Sequence, residues 1–179
     1  MPEIVRCYRQ NMTAHRLIGI KYGDDDRVDG SFGDRWRDWF EHERFDSLET
    51  AVADGLKKLG ESYDDNNAYL GFMRVGPDLP FEYWIGLFVA PNTPVPEGFD
   101  SLDCPAGEMG VCWIHGKESA GLYGMHDACV HKAEENSFVI RRDFGSGEEY
   151  RFFERYACPR FTETDGDGNV ILDYAFYIE

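Results

Sequence analysis

The sequence predicts an α+β fold made of two similar βαββ halves, and three observations predict it. The stretch Phe81 to Gly116 begins as a strand, with Phe81, Tyr83, Ile85, Leu87 and Val89 on one face and Glu82, Trp84, Gly86 and Phe88 on the other. It then breaks, because Pro91, Pro94 and Pro96 cannot donate to a sheet ladder, so Ala90 to Asp100 is an extended connection. Beyond Pro105 and Gly107 a second strand carries Met109, Val111, Trp113 and His115 on one face. Similar lengths of chain flank this strand, bridge and strand, and the order of elements repeats on either side.

In the first half, His15 to Tyr22 forms a strand, followed by an acidic, glycine-bearing loop from Gly23 to Gly33. Trp36, Trp39 and Phe40 recur at i, i+3 and i+4 as the apolar stripe of a short helix. Asp46 with Glu49 marks the start of a second helix, whose Leu48, Ala51, Val52, Leu56 and Leu59 share a face up to a stop at Gly60. Asn67 to Val75 and Phe81 to Val89 are strands joined by the turn residues Gly76, Pro77 and Asp78. In the second half, Glu108 to His115 is a strand and Leu122, Met125, His126, Cys129, Val130 and Ala133 line one face of a helix. Glu149 to Cys158 and Val170 to Ile178 close it as strands, with turn chemistry at Thr164 to Asn169. No element is assigned to residues 1 to 13.

Composition narrows the function. At 179 residues, 42% hydrophobic and 15% aromatic, the chain can bury a core as one domain or two tightly packed half-domains. Its apolar runs are short and its first ten residues lack the basic-then-apolar pattern of a leader, so no membrane segment is expected and a cytoplasmic location is. Cys7, Cys104, Cys112, Cys129 and Cys158 are odd in number and widely spaced, and are expected as reduced thiols. A formal charge of −16 repels phosphate backbones and argues against direct nucleic-acid binding. The five histidines form no HExxH or close pair, and the Asp165 to Asn169 run lacks the glutamate that would complete a calcium loop, so neither a metal nor another cofactor is expected.

Tyr83 to Gly86 (YWIG), Pro96 to Phe99 (PEGF), Pro105 to Gly107 leading to His115 and Gly116, and Phe153 to Tyr156 (FERY) before a strand with Asp173 follow one another in an order and spacing that resembles the GyrI-like family. This is the effector-binding domain of AraC-type and multidrug-sensing activators, also found free-standing. The resemblance implies a single effector-binding domain over residues 1 to 179, with halves at about 14–89 and 99–178 joined by a linker at 90–98. It also implies a pseudo-twofold between the halves, antiparallel strands with helices on one side, and a ligand groove where the halves meet. Drug-sensing members meet lipophilic cations with an acidic residue in an aromatic pocket, and certain free-standing members look like hydrolases of cyclopropane-bearing natural products that use a tryptophan and a glutamate. Residues 1 to 13 are too few for a helix-turn-helix, so a DNA-reading activator is not expected of this chain alone.

Glu154 leads the candidate site residues. On the strand it alternates with Phe152 and Tyr156, so all three project to one face and rings wall the carboxylate. Such walls desolvate the acid, raise its pKa and suit a cationic ligand; the alternative is a solvated glutamate facing Arg151 or Arg155. Trp84 falls where the family hydrolases carry their tryptophan and Trp113 is its counterpart in the second half, whereas Tyr83, on the opposite face from Trp84, reads as core. Trp36 and Trp39 either close one end of the groove or pack against the sheet. Three functions follow: a binding protein for a small, lipophilic, aromatic cation using Glu154, Tyr156, Phe152, Trp84, Trp113 and Trp39; a cyclopropanoid hydrolase using Glu154 and Trp84; or a module for a protein partner such as a topoisomerase or a regulator.

Overall fold

A computed structural model describes every residue except Ser146. All eight strands join one antiparallel sheet. They are β1 (Glu3–Met12), β2 (His15–Tyr22), β3 (Ala68–Gly76), β4 (Leu79–Val89), β5 (Asp100–Cys104), β6 (Gly107–Gly116), β7 (Tyr150–Ala157) and β8 (Val170–Ile178). The helices are α1 (Gly33–Glu41), α2 (Arg44–Ala51), α3 (Ala53–Gly60) and α4 (His126–Glu135). The spatial order β1-β6-β8-β7-β3-β4-β2-β5 is a palindrome of the two halves: β2, β3 and β4 on one side mirror β6, β7 and β8 on the other, and they meet at the β3–β7 pair. This is the expected α+β arrangement.

The two outermost strands carry no signal in the sequence reading. β1, where no element was assigned, pairs with β6, and β5 closes the far edge against β2. Each edge strand has a neighbour on only one side, which leaves a polar, mixed sequence such as Asp100–Cys104 without the apolar alternation of a central strand. The helix expected from Asp46 to Gly60 is two helices that break at Val52, whose ψ of 19° departs from helical geometry. α4 begins at His126, and Leu122–Gly124 ahead of it is a separate 3₁₀ turn.

The sheet is strongly curled. β2 and β8 stand four strands apart, roughly 19 Å in a flat sheet. Yet the His15 ring on β2 hydrogen-bonds the Tyr177 hydroxyl on β8 at 2.7 Å. Burial lowers the His15 pKa to about 4, so the ring stays neutral in this contact. The concave face encloses an inner core of Leu17, Leu70, Phe72, Phe88, Met109, Val111 and Phe153. The convex face carries the helices and an outer core that includes Trp39, Phe45, Leu48, Ile85, Leu87, Cys129 and Phe176. Because strand side chains alternate, every site residue is assigned to one of these two faces. No helix among the described residues is long and apolar enough to cross a membrane.

Candidate functional site

The outer face opens into a cavity of about 900 Å³ where the two halves meet. From the first half come Phe32, Trp36, Phe40, Tyr69, Met73, Phe81 and Tyr83; from the second come Tyr123, Glu154, Tyr156, Cys158 and Phe161. The sequence places these rings for simple reasons. Phe81 and Tyr83 share a face of β4, Trp36 and Phe40 are one helical turn apart on α1, and Tyr69 pairs directly with Tyr156 across the β3–β7 ladder.

Glu154 lies at the floor, 8% exposed. The Tyr156 hydroxyl donates to its Oε2 at 2.8 Å, and the Tyr83 hydroxyl donates to the same oxygen at 3.4 Å. Trp36 Nε1–H in turn donates to the Tyr83 hydroxyl at 2.9 Å, so a relay runs from helix α1 to the carboxylate. Among the described residues no donor reaches Oε1 and no cation pairs with the side chain. Arg151 and Arg155, its sequence neighbours, point to the inner face; Arg155 is buried there against Asp173 at 2.6 Å and Asp65 at 3.2 Å. Burial pushes the Glu154 pKa up to about 7, against the pull of the two tyrosine hydroxyls. Burial and the nearby acid hold the Tyr83 and Tyr156 hydroxyls well above their ordinary range, so they remain donors.

Gly71 makes this arrangement possible. It pairs with Glu154 across the ladder, and a Cβ there would lie 3.0 Å from Glu154 Oε2 and clash with the Tyr83 hydroxyl. A side chain at this one position would separate the acid from its donor.

Two further carboxylates line the cavity, Glu49 on α2 and Glu118 in the Glu118–Ala120 turn. The Tyr123 hydroxyl donates to Glu118 at 2.5 Å. The one cation of the lining among the described residues, Arg27, is held by Asp24 at 2.9 Å and lies over the Phe32 ring at 4.5 Å. The cavity is therefore aromatic, acidic and short of positive charge, a setting suited to an organic cation. Among the described residues no cluster of three or more histidine, cysteine or carboxylate side chains is arranged to hold a metal ion.

The other residues singled out from the sequence lie elsewhere. Phe152 shares the outer face with Glu154 but packs beneath α4, its ring 4.8 Å from His126 and 4.6 Å from Tyr150. Trp39 is fully buried behind α1 and donates to the Tyr22 hydroxyl at 2.9 Å. Trp84, 3% exposed, faces the inner core and donates to Glu82 Oε2 at 2.9 Å. Trp113 is on the inner face too, edge-on to Tyr8 at 6.0 Å. Glu154 and Trp84 thus stand on opposite faces of the sheet, and the aromatic partners of the acid are Tyr83 and Tyr156, with Trp36 behind Tyr83. Tyr83, read as core from its alternation with Ile85 and Leu87, is at the site because the core face of β4 runs into the cavity at its N-terminal end. Its spacing alone carries no sign of that role.

No family model and no curated protein sequence matches this chain. Solved structures do. A Staphylococcus aureus MU50 protein provisionally assigned to bacterial transcription regulation is 15% identical with a TM-score of 0.63, over 97% of this chain and 98% of that one. SAV2435, solved bound to tetraphenylphosphonium, is 14% identical with a TM-score of 0.64, over 98% of this chain and 94% of that one. An integron cassette protein from the mobile metagenome of Vibrio cholerae is 9% identical with a TM-score of 0.51, over 99% of both chains. At these identities the likeness is one of fold.

Proposed function

We propose that this protein binds small, lipophilic, aromatic cations in the cavity between its halves, with Glu154 as the counter-charge. The observation that carries this reading is the buried carboxyl that, among the described residues, has no cationic partner, one oxygen held by tyrosine hydroxyls and the other unbonded, at the floor of a ring-lined cavity. A flat or propeller-shaped aromatic cation would pack against Trp36, Tyr69 and Phe161 and set its charge against Oε1. Each ring contact would contribute about 0.5 to 2 kcal/mol, and the charge contact would favour a cation over a neutral analogue. The fold it shares with SAV2435, a protein that takes tetraphenylphosphonium, supports the same class of ligand. As a GyrI-like effector-binding protein it would sense or sequester such compounds.

Titration with tetraphenylphosphonium, followed by quenching of tryptophan fluorescence, tests the reading. Glu154→Gln is expected to weaken binding of the cation at least tenfold and to leave a neutral aromatic of similar shape unaffected. Equal losses for both ligands would remove the charge argument.

A further inference from the structure

The cavity holds a second carboxylate that the single-charge reading leaves unused. Glu49 and Phe45 are one turn apart on α2 and share a face, and the Phe45 ring is stacked flat on Tyr69 at 3.6 Å. Glu49 therefore stands over the Tyr69 end of the cavity. Glu154 stands at the other end of the same floor, opposite Gly71, two residues along β3 from Tyr69 and one strand across. Strand rise and strand spacing put the two ends roughly 8 Å apart. No cationic side chain pairs with Glu49 among the described residues, and the charged group that acts on it, Asp46, is another acid. Burial and Asp46 raise the Glu49 pKa against the pull of the Tyr69 hydroxyl, the direction expected of a carboxyl that lacks a positive partner. Glu118, the third lining acid, is exposed, whereas Glu49 is half-buried, so water screens Glu118 more. Between the two ends lie the rings of Trp36, Tyr69 and Tyr156, with Phe40 at the lip.

We infer that the site is built for elongated aromatic dications, whose second positive charge is met by Glu49 while the first is met by Glu154. The inference rests on the cation reading above and adds the charge count and the length of the ligand. A rigid biaryl carrying a quaternary nitrogen at each end fits these requirements. One nitrogen would lie against Oε1 of Glu154, the ring pair along Trp36 and Tyr156, and the other nitrogen beside Glu49.

A matched pair of probes separates the two claims: N,N′-dimethyl-4,4′-bipyridinium, a dication, and N-methyl-4-phenylpyridinium, a monocation of nearly the same shape. In calorimetric titrations at pH 8 and low salt, the dication is expected to bind roughly tenfold tighter than the monocation. Glu49→Gln should bring the dication down to the affinity of the monocation without changing the latter. Glu154→Gln should weaken both, and Glu118→Gln should weaken neither. Equal affinities of the wild-type protein for the two probes would overturn the dication inference and leave the cation reading standing. So would an advantage that survives Glu49→Gln or disappears in Glu118→Gln. If neither probe binds at all, both claims fall together. Glu49 is a half-buried surface-helix residue, so its glutamine variant should fold, and an unchanged melting temperature verifies this.

Discussion

A permanently charged ligand makes Glu154 report on itself. Tetraphenylphosphonium does not titrate, so any change of affinity between pH 6 and 8 comes from the protein. With its pKa at about 7, Glu154 is roughly nine-tenths ionised at pH 8 and roughly one-tenth at pH 6. A cation binds the ionised form, so affinity should fall about tenfold, or about 1.4 kcal/mol, between pH 8 and pH 6. Of the other acids facing the cavity, Glu49 is also raised, by burial and by Asp46, so the part of the slope that Glu154→Gln removes is the part that belongs to Glu154. Tyr83, Tyr156 and Tyr123 are all held above their ordinary range and stay protonated here. Binding at pH 6 should also release close to one proton, countable by calorimetry in two buffers of different ionisation enthalpy. Glu154→Gln should flatten the profile and abolish the proton release. An affinity independent of pH over this range in the wild-type protein, or the same slope in the glutamine variant, would refute the assignment of the counter-charge to Glu154.

Four more outcomes follow from the structure. The raised Glu154 pKa means that the folded protein holds a proton which the unfolded chain loses above its ordinary value of 4.5, so ligand-free stability should decline as pH rises from 4.5 to 7. The contribution of this group is on the order of 3 kcal/mol by pH 8, and urea unfolding of Glu154→Gln should show a smaller decline over the same range. Gly71→Ala should displace the Tyr83 hydroxyl from Glu154, cost about 1–3 kcal/mol in thermal unfolding and weaken cation binding. Trp84→Phe should leave cation affinity within about twofold while losing roughly 1 kcal/mol of stability with its bond to Glu82, whereas Trp36→Phe, which removes the donor to Tyr83, should weaken binding measurably. Arg155→Met should destabilise by about 3–5 kcal/mol, since among the described residues it leaves Arg160 as the one cation paired with Asp65 and Asp173, and denaturant unfolding measures it.

Residue order alone was enough for the central strands, the hairpin at Pro77 and Asp78, the repeated βαββ layout and the side of β7 on which Glu154 stands, because all of these depend on a period of two or on turn chemistry within a few residues. The same local alternation separated Tyr83 from Trp84. It could not say which face of the sheet would meet the ligand. That was decided by curvature: the sheet curls until His15 reaches Tyr177, so the face carrying Trp84, Trp113 and Arg155 closes on itself as a core. The opposite face is left to the helices and the cavity. The edge strands β1 and β5 and the place of Glu49 over Tyr69 likewise depend on partners distant in the chain, and no local pattern encodes them. A sequence records which side chains travel together along one strand; which of the two sides is sealed depends on how eight strands bend as a body.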